Sequence, residues 1–475
     1  MSAAPSTRQE LTAAPSMKGE RRIYPVVTLA LLLLCAPAVA DNEIFDARGF
    51  NPNRDFFSQL PYEHIDPLTG DLLLTFTDLV LPGNAGFDLK IQRTYNSKIY
   101  RNWPNQGDTL DEDSWAGVGW TLHLGRVLNP SGITPGPIEM PDGSRHKLFL
   151  QNNGSGNFIT RDFWVYVNQS PPLLRLPNGV TYTFNKLATV SSGQQARYVT
   201  HIQDPFSNTI DVEYMATPAD GILTITQDLG SAKVRTVTFA EDGTSLHGLA
   251  SMTYVGDQTH VWQYGQTQAT NAAGFKLLRT VTPPVGPQWK YDYTTASPLN
   301  ELGTLTTPNG GQITYSYAER TFYLGTNTPV RSPAVITRNA YDRGGTPVGT
   351  WTYAFMQGPS QNQTVITSPC STTKYTFLGV GNQAPTAVWS IGLVQKKELS
   401  DAGGLLETEA FSWVKSALIS AASETVGPVT DAGIGGSCRP SGGKAQRLTI
   451  RHEHSTRSSV PQRAACLPNH PSCGA

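Results

Sequence analysis

The chain has 475 residues and a formal net charge of −1, and only 15% of its residues are charged. Nucleic-acid binding needs a basic excess that replaces counterions, so this charge balance argues against a nucleic-acid partner. The 44 glycines and 34 prolines supply frequent turns, and together with many Thr, Tyr and Val residues they favour a β-rich extracellular protein.

The first 40 residues have the features of a secretory signal peptide. A basic segment over 18–22 precedes an apolar run over 26–35, and small residues over 38–40 form a cleavage site. We therefore predict cleavage after Ala40 and a secreted or cell-surface protein. The apolar run is too short to span a bilayer, so no membrane span is expected. Lipidation of Cys35 is the alternative, although the leucine before it is not the small residue that such processing prefers.

Residues 41–65 are predicted to form a polar leader, and residues 66–156 a separate β-rich region. Within this region, 66–71 predicts a turn, and the apolar patterns over 72–76 and 87–95 predict strands. The segment Gly117-Val118-Gly119-Trp120 places a large ring directly after two glycines. This combination indicates a close approach of the backbone to neighbouring groups.

Aromatic pairs separated by one residue recur over 157–400. The six pairs are Tyr182/Phe184, Trp262/Tyr264, Tyr291/Tyr293, Tyr315/Tyr317, Trp351/Tyr353 and Tyr375/Phe377. Valine takes the first place in Val212/Tyr214 and Val237/Phe239, and successive closing aromatics stand 24 to 36 residues apart. A period in this range indicates an array of repeated units rather than one mixed core.

Each unit reads as strand, tight turn, strand. Ile313, Tyr315 and Tyr317 alternate with polar residues, and this period of two predicts a strand with one buried face. Turn residues precede that strand at 308–311, since proline presets φ and Gly or Asn accepts a positive φ. We therefore predict an all-β fold of tandem hairpins in which the spaced aromatics belong to the core.

The C-terminal part of the chain lacks this pattern. Residues 401–430 are uncertain, and the stretch Gly404 to Ser420 is the one place where an amphipathic helix is plausible. After residue 431 there are six Lys and Arg residues, one acid and many glycines. This composition favours a disordered or spurious basic tail over 431–475.

No motif indicates an enzyme. The chain has no Gly-x-Ser-x-Gly elbow, no phosphate-binding glycine loop and no His-Glu-x-x-His zinc helix. Its histidines, His146 among them, are scattered singly outside the tail, and its cysteines are not spaced as metal ligands. A disulfide framework for the main domain is not expected either. We predict no catalytic residues, no metal site and no cofactor.

The densest acidic cluster lies between two tryptophans. Asp111 and Asp113 follow Trp103 and precede Trp115. Clustered carboxylates suit Ca²⁺ and aromatic rings stack on sugars, so these four residues are a candidate glycan or calcium site. A solvated loop tip is the plain alternative. A glycosidase that uses Asp111 or Asp113 is a further reading, because a pair of carboxylates can cleave a glycosidic bond.

Four blocks of the N-terminal region resemble, in order and identity, the segment that opens many Rhs/YD-repeat proteins. They lie at 66–74, 77–83, 93–97 and 117–120. Farther on, 202–210 is similar to the Asp-Pro-x-Gly-Asn turn of that family, with Ser207 where glycine is usual, and 306–317 is the best single match. The positions that match family motifs are Asp78, Arg93, Tyr95, Asn96, Gly117, Gly119, Trp120, Asp204, Pro205, Asn208, Tyr214, Pro308, Gly310, Tyr315 and Tyr317.

The resemblance implies a long β-sheet that spirals into a hollow shell, which in bacterial members encloses a C-terminal toxin. Such members end with an Asp-Pro-x-Gly-Leu core motif, a self-cleavage site and a variable toxin, and none of these occurs here. We therefore predict a secreted shell or scaffold segment of a polymorphic toxin or toxin-delivery system, truncated before the core. Its expected partner is a polypeptide cargo or a chain that completes the shell. The alternative is an extracellular adhesin or carbohydrate-binding protein that engages cell-surface glycans.

Overall fold

The computed structural model describes residues 57–100, 113–131, 135–191, 194–230, 233–323, 329–356, 363–378 and 392–412. The predicted signal peptide, most of the polar leader and the basic tail lie outside these ranges. No helix within them is long and apolar enough to cross a membrane.

The described part of the chain is all-β, as predicted, with one turn of 3-10 helix at Asn84–Gly86. The N-terminal strands are β1 (Phe57–Leu60), β2 (Glu63–Ile65), β3 (Leu72–Leu81), β4 (Leu89–Asn96), β5 (Asp113–Ser114), β6 (Gly117–Val118), β7 (Trp120–Thr121), β8 (Arg126–Leu128), β9 (Ile138–Glu139) and β10 (Arg145–His146). The strands that follow are β11 (Phe149–Leu150), β12 (Phe158–Ile159), β13 (Val165–Val167), β14 (Leu173–Arg175), β15 (Thr181–Ser191), β16 (Gln194–Gln203), β17 (Thr209–Tyr214), β18 (Ile222–Asp228), β19 (Val234–Glu241), β20 (Leu249–Val255), β21 (Thr259–Ala269), β22 (Ala272–Thr282), β23 (Trp289–Tyr293), β24 (Leu302–Thr306), β25 (Gln312–Tyr323), β26 (Pro329–Tyr341), β27 (Pro347–Phe355), β28 (Gln363–Thr367), β29 (Thr372–Phe377), β30 (Val394–Asp401) and β31 (Gly404–Ala410).

The N-terminal sheet has five antiparallel strands in the order β1-β2-β3-β4-β7. Its longest pairing joins β3 to β4, with Leu73 opposite Asn96 and Leu81 opposite Leu89. Strands β1 and β2 lie within the segment predicted to be a polar leader. Ile65 is buried and pairs with Leu72, so the sheet begins before the boundary expected at residue 66.

The repeat sheet runs from β11 to β31, and each of these strands pairs antiparallel with the next one in the sequence. This meander contains the tandem hairpins that the aromatic spacing predicts. Strand β8 joins it laterally by pairing with residues 196–198 of β16, and β9 and β10 extend from β8. The boundary expected at 156/157 falls inside the β11–β12 hairpin, where Phe149 pairs with Ile159.

One face of the repeat sheet is apolar. In β25, Ile313 and Tyr315 are buried, whereas Gln312 and Ser316 are exposed, which is the predicted alternation. The buried side chains of this face and those of the N-terminal sheet form a single hydrophobic core. Covering the aromatic rows removes their apolar surface from water, which stabilises the fold by about 25 cal/mol per Å² of apolar surface buried.

The repeat sheet curves around the N-terminal sheet. Phe57 in β1 packs on Tyr353 in β27, with ring centroids 6.0 Å apart. Asn84, after β3, donates a hydrogen bond to Asn208 beside β17. The ten strand steps from β17 to β27 would span about 48 Å in a flat sheet, and a five-stranded sheet is only about 20 Å wide. Curvature of the larger sheet lets the smaller one contact both β17 and β27.

The prediction of a possible helix over Gly404 to Ser420 is wrong for residues 404–412, the part of that stretch that the structure describes. Residues 404–410 form β31 and pair with β30, with Glu409 opposite Lys397. The physical reason is local: Gly404, at φ +119, follows a turn after β30, so the chain returns as a hairpin. A second unexpected feature nearby is Cys370, in the turn after β28, which is disulfide-bonded.

Candidate functional site: the inner interface

The inner interface is the set of buried contacts between the N-terminal region (residues 57–146) and the apolar face of the repeat sheet. Arg93 of β4 lies at its centre and is 1% exposed. Its Nε donates to both carboxylate oxygens of Asp78, at 3.0 and 2.9 Å. Its Nη1 donates to the hydroxyl of Tyr291 at 2.6 Å, and Tyr264 donates to Asp78 at 3.0 Å. An ion pair inside the N-terminal sheet is thus completed by two tyrosines of the repeats.

The environment of Arg93 keeps its charge. Burial alone would lower the pKa of Arg93, but the neighbouring Asp78 carboxylate and Tyr291 raise it above its ordinary value. The guanidinium also lies over the ring of Phe76, 4.4 Å from its centroid. Removing one partner of such a buried pair strands the other charge and typically costs about 3–5 kcal/mol.

Tyr95 and Trp120 form a second polar connection. The Tyr95 hydroxyl donates to Glu301 at 3.0 Å and accepts the backbone N–H of Leu302 at 3.0 Å. Trp120 donates through Nε1 to the hydroxyl of Tyr293 at 2.9 Å. Both rings are at most 1% exposed, so these bonds form away from water and satisfy the polar tips of large buried side chains.

Glu63 and Arg338 form a third connection. Arg338 of β26 donates through Nε to the two oxygens of Glu63 at 2.8 and 3.0 Å, and the Tyr315 hydroxyl donates to the same carboxylate. Burial acts to lower the pKa of Arg338, but Glu63 raises it above its ordinary value. Sequence reasoning missed Glu63 because it lies in the predicted leader and its partner is 275 positions away.

The closing tyrosines of three repeats make the same long-range hydrogen bond. Tyr214 donates to the carbonyl of Val199 at 2.7 Å, and Tyr293 donates to that of Leu278 at 2.7 Å. Tyr317 donates to the carbonyl of Leu302 at 2.9 Å. In each case the acceptor lies 15 residues upstream. The tight turn between the two strands places them side by side, and the hydroxyl ties the second strand of each hairpin to the first.

The two glycines before Trp120 allow the predicted close approach. Gly119 has φ +74, and a Cβ there would lie 2.6 Å from the ring of Tyr95. Gly117 has φ +111, and a Cβ there would lie 3.1 Å from the backbone nitrogen of Leu278 in β22. A side chain at either position would therefore be strained by both conformation and contact.

The matched turn residues perform structural roles. Asp204 accepts the backbone N–H groups of Phe206 and Asn208 at 2.8 and 2.9 Å, and Asn208 Nδ2 donates to its other oxygen at 2.6 Å. Pro205 lies against Gly179 of the neighbouring turn. These side-chain bonds fix the turn before β17 together with its backbone bonds, from Asp204 N–H to the Asn208 carbonyl and from Ser207 N–H to the Asp204 carbonyl.

The second matched turn lies at 307–311, before β25. Gly310 has φ +86, follows Pro308 and Asn309, and donates its backbone N–H to the carbonyl of Thr307 at 2.9 Å. This is the turn chemistry expected from a proline followed by a glycine with positive φ.

The candidate glycan or calcium site is not assembled in the described residues. Trp103 and Asp111 lie outside them, and the side chain of Asp113 does too, although its backbone forms β5. Trp115 is 1% exposed and donates through Nε1 to the carbonyl of Leu122 at 3.2 Å. Its ring packs edge-on against Phe239 of β19. In this structure Trp115 is a core residue rather than a surface platform for a sugar, because the repeat sheet covers it.

A serine, a histidine and an aspartate, none of which the sequence singled out as a group, lie together at β10. Ser144 Oγ is 3.0 Å from His146 Nε2, and His146 Nδ1 is 2.6 Å from Asp162. This is the connectivity of a catalytic triad. However, the hydroxyl of Ser144 also donates to Asp142 at 2.7 Å, and Ser144 is only 4% exposed. The hydroxyl is thus held inside a turn, where a substrate carbonyl has no approach.

The described residues contain no group of three or more His, Cys, Asp or Glu side chains that could hold a metal ion. A dense charged cluster beside the inner interface is an ion-pair group around Glu139, which accepts from Arg126, Arg145 and His123. Burial would raise the pKa of Glu139, but the two guanidiniums and the histidine hold it well below its ordinary value.

A family model described as a domain of unknown function, DUF6531, matches residues 62–146, which span β2 to β10. No curated protein matches the chain.

Solved structures of toxin proteins share a distant likeness. The Tc holotoxin pore of Photorhabdus luminescens is 8% identical, with a TM-score of 0.29 over 77% of this chain and 29% of that chain. The TcdB2–TccC3 complex is 9% identical, with a TM-score of 0.25 over 77% and 20%. The N-terminal domain of the effector SpvB from Salmonella typhimurium strain LT2 is 15% identical, with a TM-score of 0.20 over 64% and 99%. This chain spans less than a third of the first two proteins, and likeness at this level assigns no function.

Proposed function

We propose that this chain is a structural protein of the Rhs/YD-repeat type that works as a shell or scaffold segment of a secreted toxin-delivery system. In this proposal it has no catalytic site of its own. Its N-terminal region fastens the repeat sheet from the inside, and the sheet continues by pairing with a β-strand of a partner polypeptide. The combined sheet then walls off a polypeptide cargo from water and from its targets.

The observation that carries the proposal is the solvent exposure of β31. All seven residues of this strand are exposed, including Leu405 at 63% and Leu406 at 41%. Neighbouring residues of a strand point to opposite faces, so both faces of β31 are uncovered. Within the described part of the chain its only strand partner is β30. An uncovered edge with apolar faces is a template for adding a strand.

The direction of the backbone groups identifies which residues of β31 would bind the added strand. Phe411 donates its N–H to the carbonyl of Gln395, and therefore towards β30. Backbone N–H groups alternate in direction along an antiparallel strand. The N–H of Glu409 therefore also points to β30, whereas those of Thr408 and Ala410 point to the uncovered edge.

Site-specific photo-crosslinking of the full chain in its native host tests the proposal. A benzophenone side chain at Thr408 should crosslink to an extended segment of one partner polypeptide, identified by mass spectrometry of the linked peptide. The matched control is the same group at Thr238, an exposed position of β19, which already pairs on both sides with β18 and β20. Thr408→Pro, tested with the crosslinker at Ala410, should abolish the crosslink while leaving the β30 bonds intact. Equal crosslinking at Thr408 and Thr238, or none at either, would contradict the proposal.

The absence of enzymatic activity is tested separately at Ser144. The full chain should resist labelling by a fluorophosphonate, and Ser144→Ala should change neither labelling nor ester hydrolysis. Labelling that disappears in Ser144→Ala would show that the Ser144–His146–Asp162 group is a working nucleophile and would replace the structural reading with an enzymatic one.

A further inference from the structure

A small cavity lies between the N-terminal sheet and the Glu139 cluster. Its volume is about 20 Å³, and a single water needs roughly 10–15 Å³. The lining includes backbone and side chains from β3, β4, β7 and β8, and its polar side chains are Thr94, Asn96, Lys98, Thr121, Arg126, Glu139 and Arg145. The space is therefore large enough for one small occupant, and hydrogen-bond donors make up most of the polar part of a largely apolar lining.

Two donors in this lining lack an acceptor among the described residues. Lys98 is 5% exposed, and its Nζ has no hydrogen-bond partner. Asn96 is 9% exposed, and its Nδ2 likewise has none. The orientation of the Asn96 amide is set by its oxygen, which accepts the backbone N–H of Lys98 at 2.8 Å. Its nitrogen is therefore the free end.

The charge of the lining favours an anion over a water molecule. The ionisable side chains that line the cavity are three cations, Lys98, Arg126 and Arg145, and one carboxylate, Glu139. Glu139 Oε1 accepts from Arg126 at 2.7 Å and Oε2 accepts from Arg145 at 2.6 Å, so this carboxylate is already engaged. A buried ammonium without a counter-charge is costly, and water offers no charge to offset it.

We infer that this cavity is a binding site for one small monovalent anion, of which chloride is the physiological example. The anion accepts hydrogen bonds from Lys98 Nζ and Asn96 Nδ2 and balances the positive excess of the lining. It thereby ties the end of β4 to β8 and β9, which are the strands that connect the N-terminal region to the side of the repeat sheet. This inference is independent of the proposed function.

The test is thermal unfolding of the full chain at constant ionic strength, with chloride exchanged stepwise for gluconate, which is too large for the cavity. A bound anion raises stability by RT ln(1 + [L]/Kd), so Tm should rise with the logarithm of the chloride concentration above Kd. Lys98→Met should abolish this dependence. Lys90→Met, at an exposed position of β4, is the matched control and should retain it.

A second variant keeps the test valid if Lys98→Met does not fold. Asn96→Asp places a carboxylate of nearly the same shape in the cavity, so it should supply the counter-charge itself. We expect its Tm in gluconate to equal or exceed that of the unmodified chain in chloride, and to be insensitive to chloride. Crystals soaked in bromide should show an anomalous peak within hydrogen-bond distance of Lys98 Nζ. A Tm that is equal in chloride and gluconate, with no bromide peak, would mean that the cavity holds only water and would overturn the inference.

Discussion

The inner interface and the β30–β31 hairpin are built from the same kind of strand but are held in place differently. At the inner interface, repeat tyrosines such as Tyr291 and Tyr315 contact charged partners from the N-terminal region. The β30–β31 hairpin is held by backbone pairing, and the ion pair between Lys396 and Glu398 lies within β30 and is partly exposed. Exposed ion pairs contribute little to stability. We therefore infer that backbone pairing alone forms a hairpin, and that contact with the N-terminal region makes the hairpins of the inner interface rigid.

The largest expected effect comes from breaking the central ion pair. Arg93→Met removes the partner of Asp78, which is itself 7% exposed, and should lower the free energy of unfolding by about 3–5 kcal/mol. Arg279→Met is the matched control, because Arg279 is 32% exposed and lies 3.5 Å from an exposed Asp292. Its loss should stay below about 1 kcal/mol. Urea unfolding measures the free energy of unfolding of both variants. Equal decreases would mean that the buried ion pair stabilises the protein no more than the exposed one.

The next largest loss of stability is expected where the backbone of Gly119 lies close to the ring of Tyr95. Gly119→Ala combines positive φ with a contact to Tyr95 and should destabilise the protein by about 2–4 kcal/mol. Gly243→Ala isolates the conformational part, because Gly243 has φ +67 and no atom within 4 Å of a Cβ. Its cost should be about 1–2 kcal/mol. If the two variants unfold at the same urea concentration, the contact with Tyr95 contributes nothing.

The tyrosine hydrogen bonds between the two strands of a hairpin should each have a smaller effect. Tyr317→Phe removes the donor to the Leu302 carbonyl and should cost about 1–2 kcal/mol, since the buried acceptor loses its partner. Tyr341→Phe is the control, as this tyrosine has no side-chain hydrogen bond within the described residues, and it should be close to neutral. Thermal unfolding of the two variants measures the difference, and a neutral Tyr317→Phe would remove the proposed role of the closing tyrosines.

A pH effect is expected from Asp220, whose carboxylate accepts the backbone N–H of Trp115 at 3.0 Å. Burial raises the pKa of Asp220 above its ordinary value, although the Trp115 N–H and Lys276 oppose this. The folded state thus binds the proton more tightly than the unfolded state, so Asp220 makes stability fall as pH rises from its ordinary pKa through the raised one. Asp220→Asn keeps an acceptor for Trp115 and should flatten this slope over the pH range that begins at the ordinary aspartate pKa of about 3.9. An unchanged slope in urea titrations across that range would contradict the assignment.

Sequence patterns specified the local structure well, because strands and turns are set by neighbouring residues. Alternation over 312–317 predicted the start of β25, and the glycines before Trp120 indicated the close approach that Tyr95 and Leu278 make. The partners within the inner interface were not predictable in this way. Arg93 and Tyr291 are 198 positions apart, and the residues around either one do not indicate that the other is its partner. The helix considered after Gly404 failed because a short apolar run fits either element until its partner strand is known.

Hydrogen exchange of the full chain, measured strand by strand, tests most directly the claim that the N-terminal region fastens the repeats. Amides of β23 to β25, which contact Arg93, Tyr95 and Glu63, should open only at a free energy close to that of global unfolding. Amides of β30 and β31 should exchange at a much lower free energy. Arg93→Met should accelerate exchange in β21 to β26 and leave β30 and β31 unchanged. Uniform protection along the repeat sheet, with a uniform response to Arg93→Met, would contradict the account.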